Sequence, residues 1–314
     1  MRQTVFLLSV MATMILLAGG VAVAASQLDQ QQTNAPASIG MDANYPMAQT
    51  FTAGVSGSLD KVSVHAYRAG TLEAGAMLVS IQTLDESGLP SGTVLGSGSA
   101  PITDFGTTSP ANWVDISLTQ AVPVSAGKEY ALVTSTASVS QTGASFYGLG
   151  VAFNDPYSGG DAYDRNSGQW AVRTDAGVPM DFAFKTFVVP DTRAPKVGSV
   201  MPANGKTRVG RATSMTAAFS EKMDATTIKS STFKLLKVNA DGSATRIKNV
   251  VVTLDPSGLN VELDPYGTSS RSLQANTRYR AVVTTETRDL AGNTLDQNPR
   301  KRGNQPKAWT FTTG

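Results

Sequence analysis

From residue 47 onward, apolar positions recur at every second residue in short runs, and no long stretch holds an apolar period of 3.6 residues. Leu59–Tyr67 places Val62, Val64 and Ala66 on one face and Lys61, Ser63, His65 and Tyr67 on the other. Runs of the same kind lie at 49–52, 77–84, 113–118, 129–134, 145–153, 169–172 and 181–188. A second series covers 196–201, 214–219, 232–238, 247–254, 260–263, 277–285 and 308–312. Between the runs stand turn formers such as Glu86-Ser87-Gly88-Leu89-Pro90 and Asn239-Ala240-Asp241-Gly242. Period-2 runs separated by turns predict an all-β chain of antiparallel sandwiches. One helical turn is expected at 224–228, capped by Asp224.

The first 45 residues break this pattern. Arg2 precedes an almost wholly apolar stretch, 5–23, which closes on the small residues Ala22-Val23-Ala24. This layout predicts a signal peptide over 1–25, and hence a secreted or cell-surface protein with no mature transmembrane segment. Residues 26–45 are polar, glutamine-rich and aperiodic, which predicts a flexible leader.

The chain has no cysteine. Disulfides, cysteine nucleophiles, Cys-ligated metals and a lipid anchor on a cleavage-site cysteine are therefore excluded, and stability rests on hydrophobic cores. The net charge of +2 hides two opposite halves. Residues 26–188 carry 14 acidic and 6 basic side chains, a net of −8, whereas 189–314 carry 10 and 19, a net of +9. The change falls at Pro190-Asp191-Thr192-Arg193-Ala194-Pro195, where prolines stiffen the chain. Pattern and charge together predict a jelly-roll-like sandwich over 46–189, a linker over 190–195 and an Ig-like sandwich over 196–314.

The residues offer little to catalysis. His65 is the single histidine, it sits on the polar face of a strand, and no G-x-S-x-G elbow accompanies it. The S-x-x-K pairs Ser58–Lys61, Ser125–Lys128 and Ser231–Lys234 fall at turns and strand starts rather than on helices. Asp155, Asp161 and Asp164 crowd a Pro- and Gly-containing loop. Turn formation explains them, Ca²⁺ coordination is open to them, and glycoside hydrolysis is a remote third. No other cofactor is implied. Aromatic residues gather nearby, and Tyr157, Asp161, Tyr163 and Trp170 make a candidate ligand patch, because flat rings beside hydrogen-bonding groups suit sugars. The competing explanation is that these rings fill the core. The basic second half, densest at Arg300-Lys301-Arg302, could meet anionic envelope polymers or the acidic first half; export argues against nucleic acid as a partner.

The second half resembles a bacterial Ig-like domain of the S-layer-protein type over about 191–314. The residues that carry this are 191–195 with Pro202-Ala203-Asn204-Gly205, Phe219-Ser220-Glu221-Lys222-Met223-Asp224, 273–279, Asp289-Leu290-Ala291-Gly292-Asn293 and Trp309-Thr310-Phe311-Thr312-Thr313. The resemblance implies a spacer or adhesive module without catalytic residues. The first half, over about 46–189, resembles choice-of-anchor type extracellular β-sandwich modules at 48–52, 59–62, 124–130, 157–163 and 181–184. The function expected is a non-catalytic interaction or structural protein that meets envelope polysaccharide or another surface protein. The alternative is a carbohydrate-binding accessory of polysaccharide-active enzymes.

Overall fold

The computed structural model describes residues 25–41, 46–72, 75–107, 111–136, 145–166, 168–267 and 272–314. The signal peptide expected over 1–25 lies outside them except for its last residue. The described chain is all-β, and its helical content is two short 3-10 turns, Ile102–Asp104 and Ala225–Thr227. The second is capped as the sequence predicts: the Asp224 side chain accepts from the Thr226 N–H.

The first half forms two antiparallel layers. One contains Met47–Thr52, Ala76–Leu84, Pro90–Pro101, Glu129–Ser135, Ala162–Asn166 and Gln169–Val172. The other is built on Gly57–Ala69, which lies between Asn112–Val124 on one side and Phe146–Phe153 and Phe184–Pro190 on the other. The layers join where Gly98 pairs with Leu118. A Cβ on Gly98 would run into the Ser117 carbonyl and press on Ile116, so only glycine lets the two long strands cross there. Alternation along each strand sends Phe51, Leu59, Val62, Val64, Ile81, Ile116, Leu132 and Phe184 into one core between the layers.

The expected flexible leader over 26–45 is corrected by the structure. Gln27–Gln32 pairs with Phe184–Pro190, and Ala37–Gly40 pairs with Phe146–Phe153. These strands extend existing edges, so their backbones find partners without an alternating apolar face to announce them. Residues 42–45 lie outside the described part of the leader.

The second half has its own core, around Trp309, Tyr279, Phe233, Met215 and Leu263. It lies between a four-stranded sheet (Val197–Met201, Met215–Phe219, Asn260–Asp264, Val251–Leu254) and a five-stranded one (Lys206–Val209, Lys307–Thr313, Arg278–Val283, Phe233–Val238, Ala244–Arg246). Of the strand expected over 247–254 only Val251–Leu254 forms, in the four-stranded sheet, and the strand before it, Ala244–Arg246, belongs to the five-stranded one. Asn249, in the left-handed region at φ 61°, sits in the crossing. Lys307–Thr313 is bonded on both sides, antiparallel to Arg278–Val283 and parallel to Lys206–Val209.

The segment between the cores is tied to both. The Asp191 N–H donates to the Ser56 carbonyl at 3.1 Å, and the Asp191 carbonyl accepts from Asn293 Nδ2 at 3.1 Å. Ser56 Oγ also donates to the Leu290 carbonyl at 3.2 Å.

Candidate functional site

The loop after Phe146–Phe153 decides where the aromatic candidates go. It turns through Asn154 and Asp155, both left-handed at φ 67° and 51°, residue types that tolerate this conformation. The chain then drops Tyr157 inward, leaving it 9 % exposed. Its ring meets Phe184 edge-on at 5.1 Å between centroids, and its hydroxyl donates to Gln30 Oε1 at 2.9 Å. Burial pushes the Tyr157 hydroxyl up to about 12. Tyr157 is thus a core residue that pins the loop.

The pin is held by a buried carboxylate. Asp181 is 0 % exposed, and its oxygens accept from the Tyr157 N–H at 2.9 Å and from Gln49 Nε2 at 2.8 Å. Gln49 Oε1 in turn accepts from the Phe182 N–H at 2.8 Å. Burial pushes the Asp181 carboxyl up to about 6, against the pull of these donors; the charges of Asp155 and Asp161 add to the rise.

Tyr163 and Trp170 lie on the opposite side of the same layer. Tyr163 packs with Ala48, Ala131 and Val133 in a small cluster separate from the main core, with Trp170 half-buried against it. Alternation explains the separation, since Met47, Leu132 and Ala162, each one position away, point into the main core. The Tyr163 hydroxyl reaches Asp161 Oδ2 at 3.5 Å, and it is pushed up by burial first and by the Asp161 charge second. The Arg165 guanidinium lies 6.0 Å from the centre of the Trp170 ring. Three of the four predicted patch residues, Asp161, Tyr163 and Trp170, therefore share one outer face, and Tyr157 is turned away from it.

The loop aspartates do not converge. Asp164 is ion-paired with Arg173, and the Asp155 N–H donates to the Pro179 carbonyl. Among the described residues, the carboxylates that do gather are Asp191, Glu221 and Asp289, with one oxygen of each within 4.8 Å of the others. They line a cleft of about 700 Å³ where the linker meets both halves, together with Ser56, Arg193 and Lys222. Burial raises the Glu221 carboxyl, followed by the charges of Asp191 and Asp289. Asp289 is already engaged, accepting from the N–H groups of Ala291 and Asn293 and from Asn293 Nδ2. Oxygen ligands of this kind suit a hard divalent cation. The sequence separates the three by 30 and 68 positions, so only the closing of the turn 289–293 onto the linker brings them together.

His65 stands on the outer face of the other layer. Its ring lies 5.0 Å from that of Trp113, and it makes no hydrogen bond to a serine or a carboxylate among the described residues. Burial lowers its pKa, which keeps it neutral at pH 7.

Set beside known proteins, the second half has a clear counterpart. Its residues 191–313 match the family described as bacterial Ig-like domain. Residues 191–313 are a bacterial Ig-like domain. The Ig-like domain begins at Asp191, so one of the three gathered carboxylates stands at its first position. Among solved structures, the N-terminal part of the bacterial S-layer protein SbsC is similar at 20 % identity and a TM-score of 0.26. That likeness covers 39 % of this chain and 24 % of the other. No curated protein matches the chain.

Proposed function

We propose that this chain works at the cell surface or outside the cell as a non-catalytic interaction and structural protein. In this reading the sandwich over 46–189 carries a ligand, and the Ig-like domain, beyond the joint at 190–195, spaces or attaches it. The family match of 191–313 is the observation that carries the proposal, since that half presents motifs of turns and core anchors. The lone histidine, bonded to neither nucleophile nor acid, supports a role without catalysis. Envelope polysaccharide or another surface protein is the partner this suggests, and no cofactor enters the reading.

The second reading, a carbohydrate-binding accessory of polysaccharide-active enzymes, draws on the outer patch. Trp170 is half-buried beside Tyr163 and Asp161, which offers a ring face next to an acceptor. Trp170→Ala is expected to abolish binding on a glycan array while leaving the melting temperature in place, because the ring sits outside the main core. Undiminished binding by that variant would remove the patch from the account. A native chain that bound neither glycans, envelope fractions nor partner cells would remove the ligand-carrying role altogether.

A further inference from the structure

The outer face of the layer built on Gly57–Ala69 carries an unusual set of side chains for a solvent-facing sheet. Along that strand Lys61, Ser63, His65 and Tyr67 point outward, a row of about 20 Å at the usual rise per strand residue. Neighbouring strands add Trp113 and Asp115 on one side and Lys185 and Phe187 on the other. None of these four rings belongs to the main core.

The rings lie down on the sheet because glycine leaves room beneath them. Gly148 and Gly150, on the adjoining strand Phe146–Phe153, stand under Tyr67 and His65. A Cβ on Gly148 would run into the Tyr67 ring, and one on Gly150 into Nδ1 of His65. Tyr67 is also braced edge-on by Phe146 at 6.3 Å. The result is a cluster of rings held in place before anything binds, with the His65 and Trp113 planes inclined at 51° to each other.

Charge on this surface is arranged as well. Lys61 Nζ lies 4.1 Å from the centre of the Phe187 ring and 2.7 Å from Asp115 Oδ2. Ser63 donates to the other Asp115 oxygen. Lys185 Nζ lies 4.0 Å from the centre of the Trp113 ring and has no carboxylate within ion-pair distance among the described residues. The groups that face one another are thus Lys61, Asp115, His65 and Lys185. With His65 neutral, they leave one positive charge, at Lys185, in a half of the chain whose net charge is −8.

We propose that this face is a binding site for an acidic polysaccharide, with sugar rings lying against His65 and Tyr67 and a carboxylate of the chain meeting Lys185 where it is seated on Trp113. The C–H face of a pyranose suits a flat ring, and the ammonium left without a carboxylate supplies the complementary charge. A neutral glycan would leave that charge unanswered. This site is separate from the Tyr163–Trp170 patch, and the failure of either leaves the other standing.

The test is affinity electrophoresis of the full chain through gels containing polygalacturonate or, in parallel, dextran. Polygalacturonate should retard the protein and dextran should not. Trp113→Ala and Lys185→Ala should each weaken retardation by about tenfold, the scale of one stacking or charge contact. Trp113→Ala keeps every lysine but removes the ring that seats Lys185, so its loss of binding separates this built surface from general attraction to a basic protein. If that variant no longer unfolds cooperatively, Lys185→Ala, which leaves the cores untouched, decides. Absence of retardation, equal retardation by dextran, or full binding by both variants would each overturn the proposal. So would a loss of binding that follows removal of the Arg300-Lys301-Arg302 charges but not of Lys185.

Discussion

Trp309→Ala is expected to lower the stability of the Ig-like domain by about 3–5 kcal/mol, the cost of emptying a large buried aromatic site. Trp309 is 1 % exposed, packs against Phe233 with the rings tilted at 41° and 5.7 Å between centroids, and lies on a strand of the five-stranded sheet that is bonded on both sides. Its neighbours come from both sheets and cannot close over the space left by an indole. Calorimetry should show one transition moving down by roughly ten degrees or more while the other stays. The reason is that the two cores share no buried apolar residue. If both transitions shifted together, the two halves would not be independent folding units.

A second large effect should appear on titration. Asp181 has a folded-state pKa of about 6, above the ordinary value of 3.8. Between these two values the folded protein holds the proton and the unfolded chain has lost it. Asp181 therefore makes stability fall as pH rises from about 4 to about 6, and level off above that. Across that interval the loss amounts to about 3 kcal/mol. Asp181→Asn cannot titrate, and its Nδ2 would face one of the two donors now accepted, the Tyr157 N–H or Gln49 Nε2. The variant should start out less stable than wild type near pH 4 and lose this pH dependence. Urea unfolding of both proteins across pH 4–7 measures the difference. A constant gap between them over that range would show that the buried carboxyl titrates normally.

Much of the fold was legible because alternation is a strong signal where one face is buried. The alternation of Lys61–Tyr67 reads correctly, while a bulge between Leu59 and Lys61 returns Leu59 to the core, and the turn 239–242 and the cap at Asp224 follow from local chemistry. The strands at Gln27–Gln32 and Ala37–Gly40 were hidden because backbone pairing and polar contacts such as that of Gln30 with Tyr157, not an alternating apolar face, hold them. Pro90–Pro101 was hidden by its glycines, which the crossing of the two layers requires. Tyr157 and Tyr163 are six residues apart and face opposite ways. A loop with two glycines between them has no period from which to read that. The surface around Trp113, His65 and Lys185 depends on strand order, which places three distant segments side by side. No single-chain pattern encodes that neighbourhood.

The parallel contact between Lys206–Val209 and Lys307–Thr313 has a mechanical meaning. When a load draws the linker and Lys307–Thr313 apart, Val197–Met201 takes it first, and behind it the two parallel neighbours are dragged in opposite directions along their length. Their hydrogen bonds must then yield together instead of unzipping singly, a geometry that raises the force needed to open the Ig-like domain. Single-molecule stretching should record high rupture forces for this half, and release at low force would contradict the load path. In the spacer role proposed for the Ig-like domain, this contact is the one that would bear the tension.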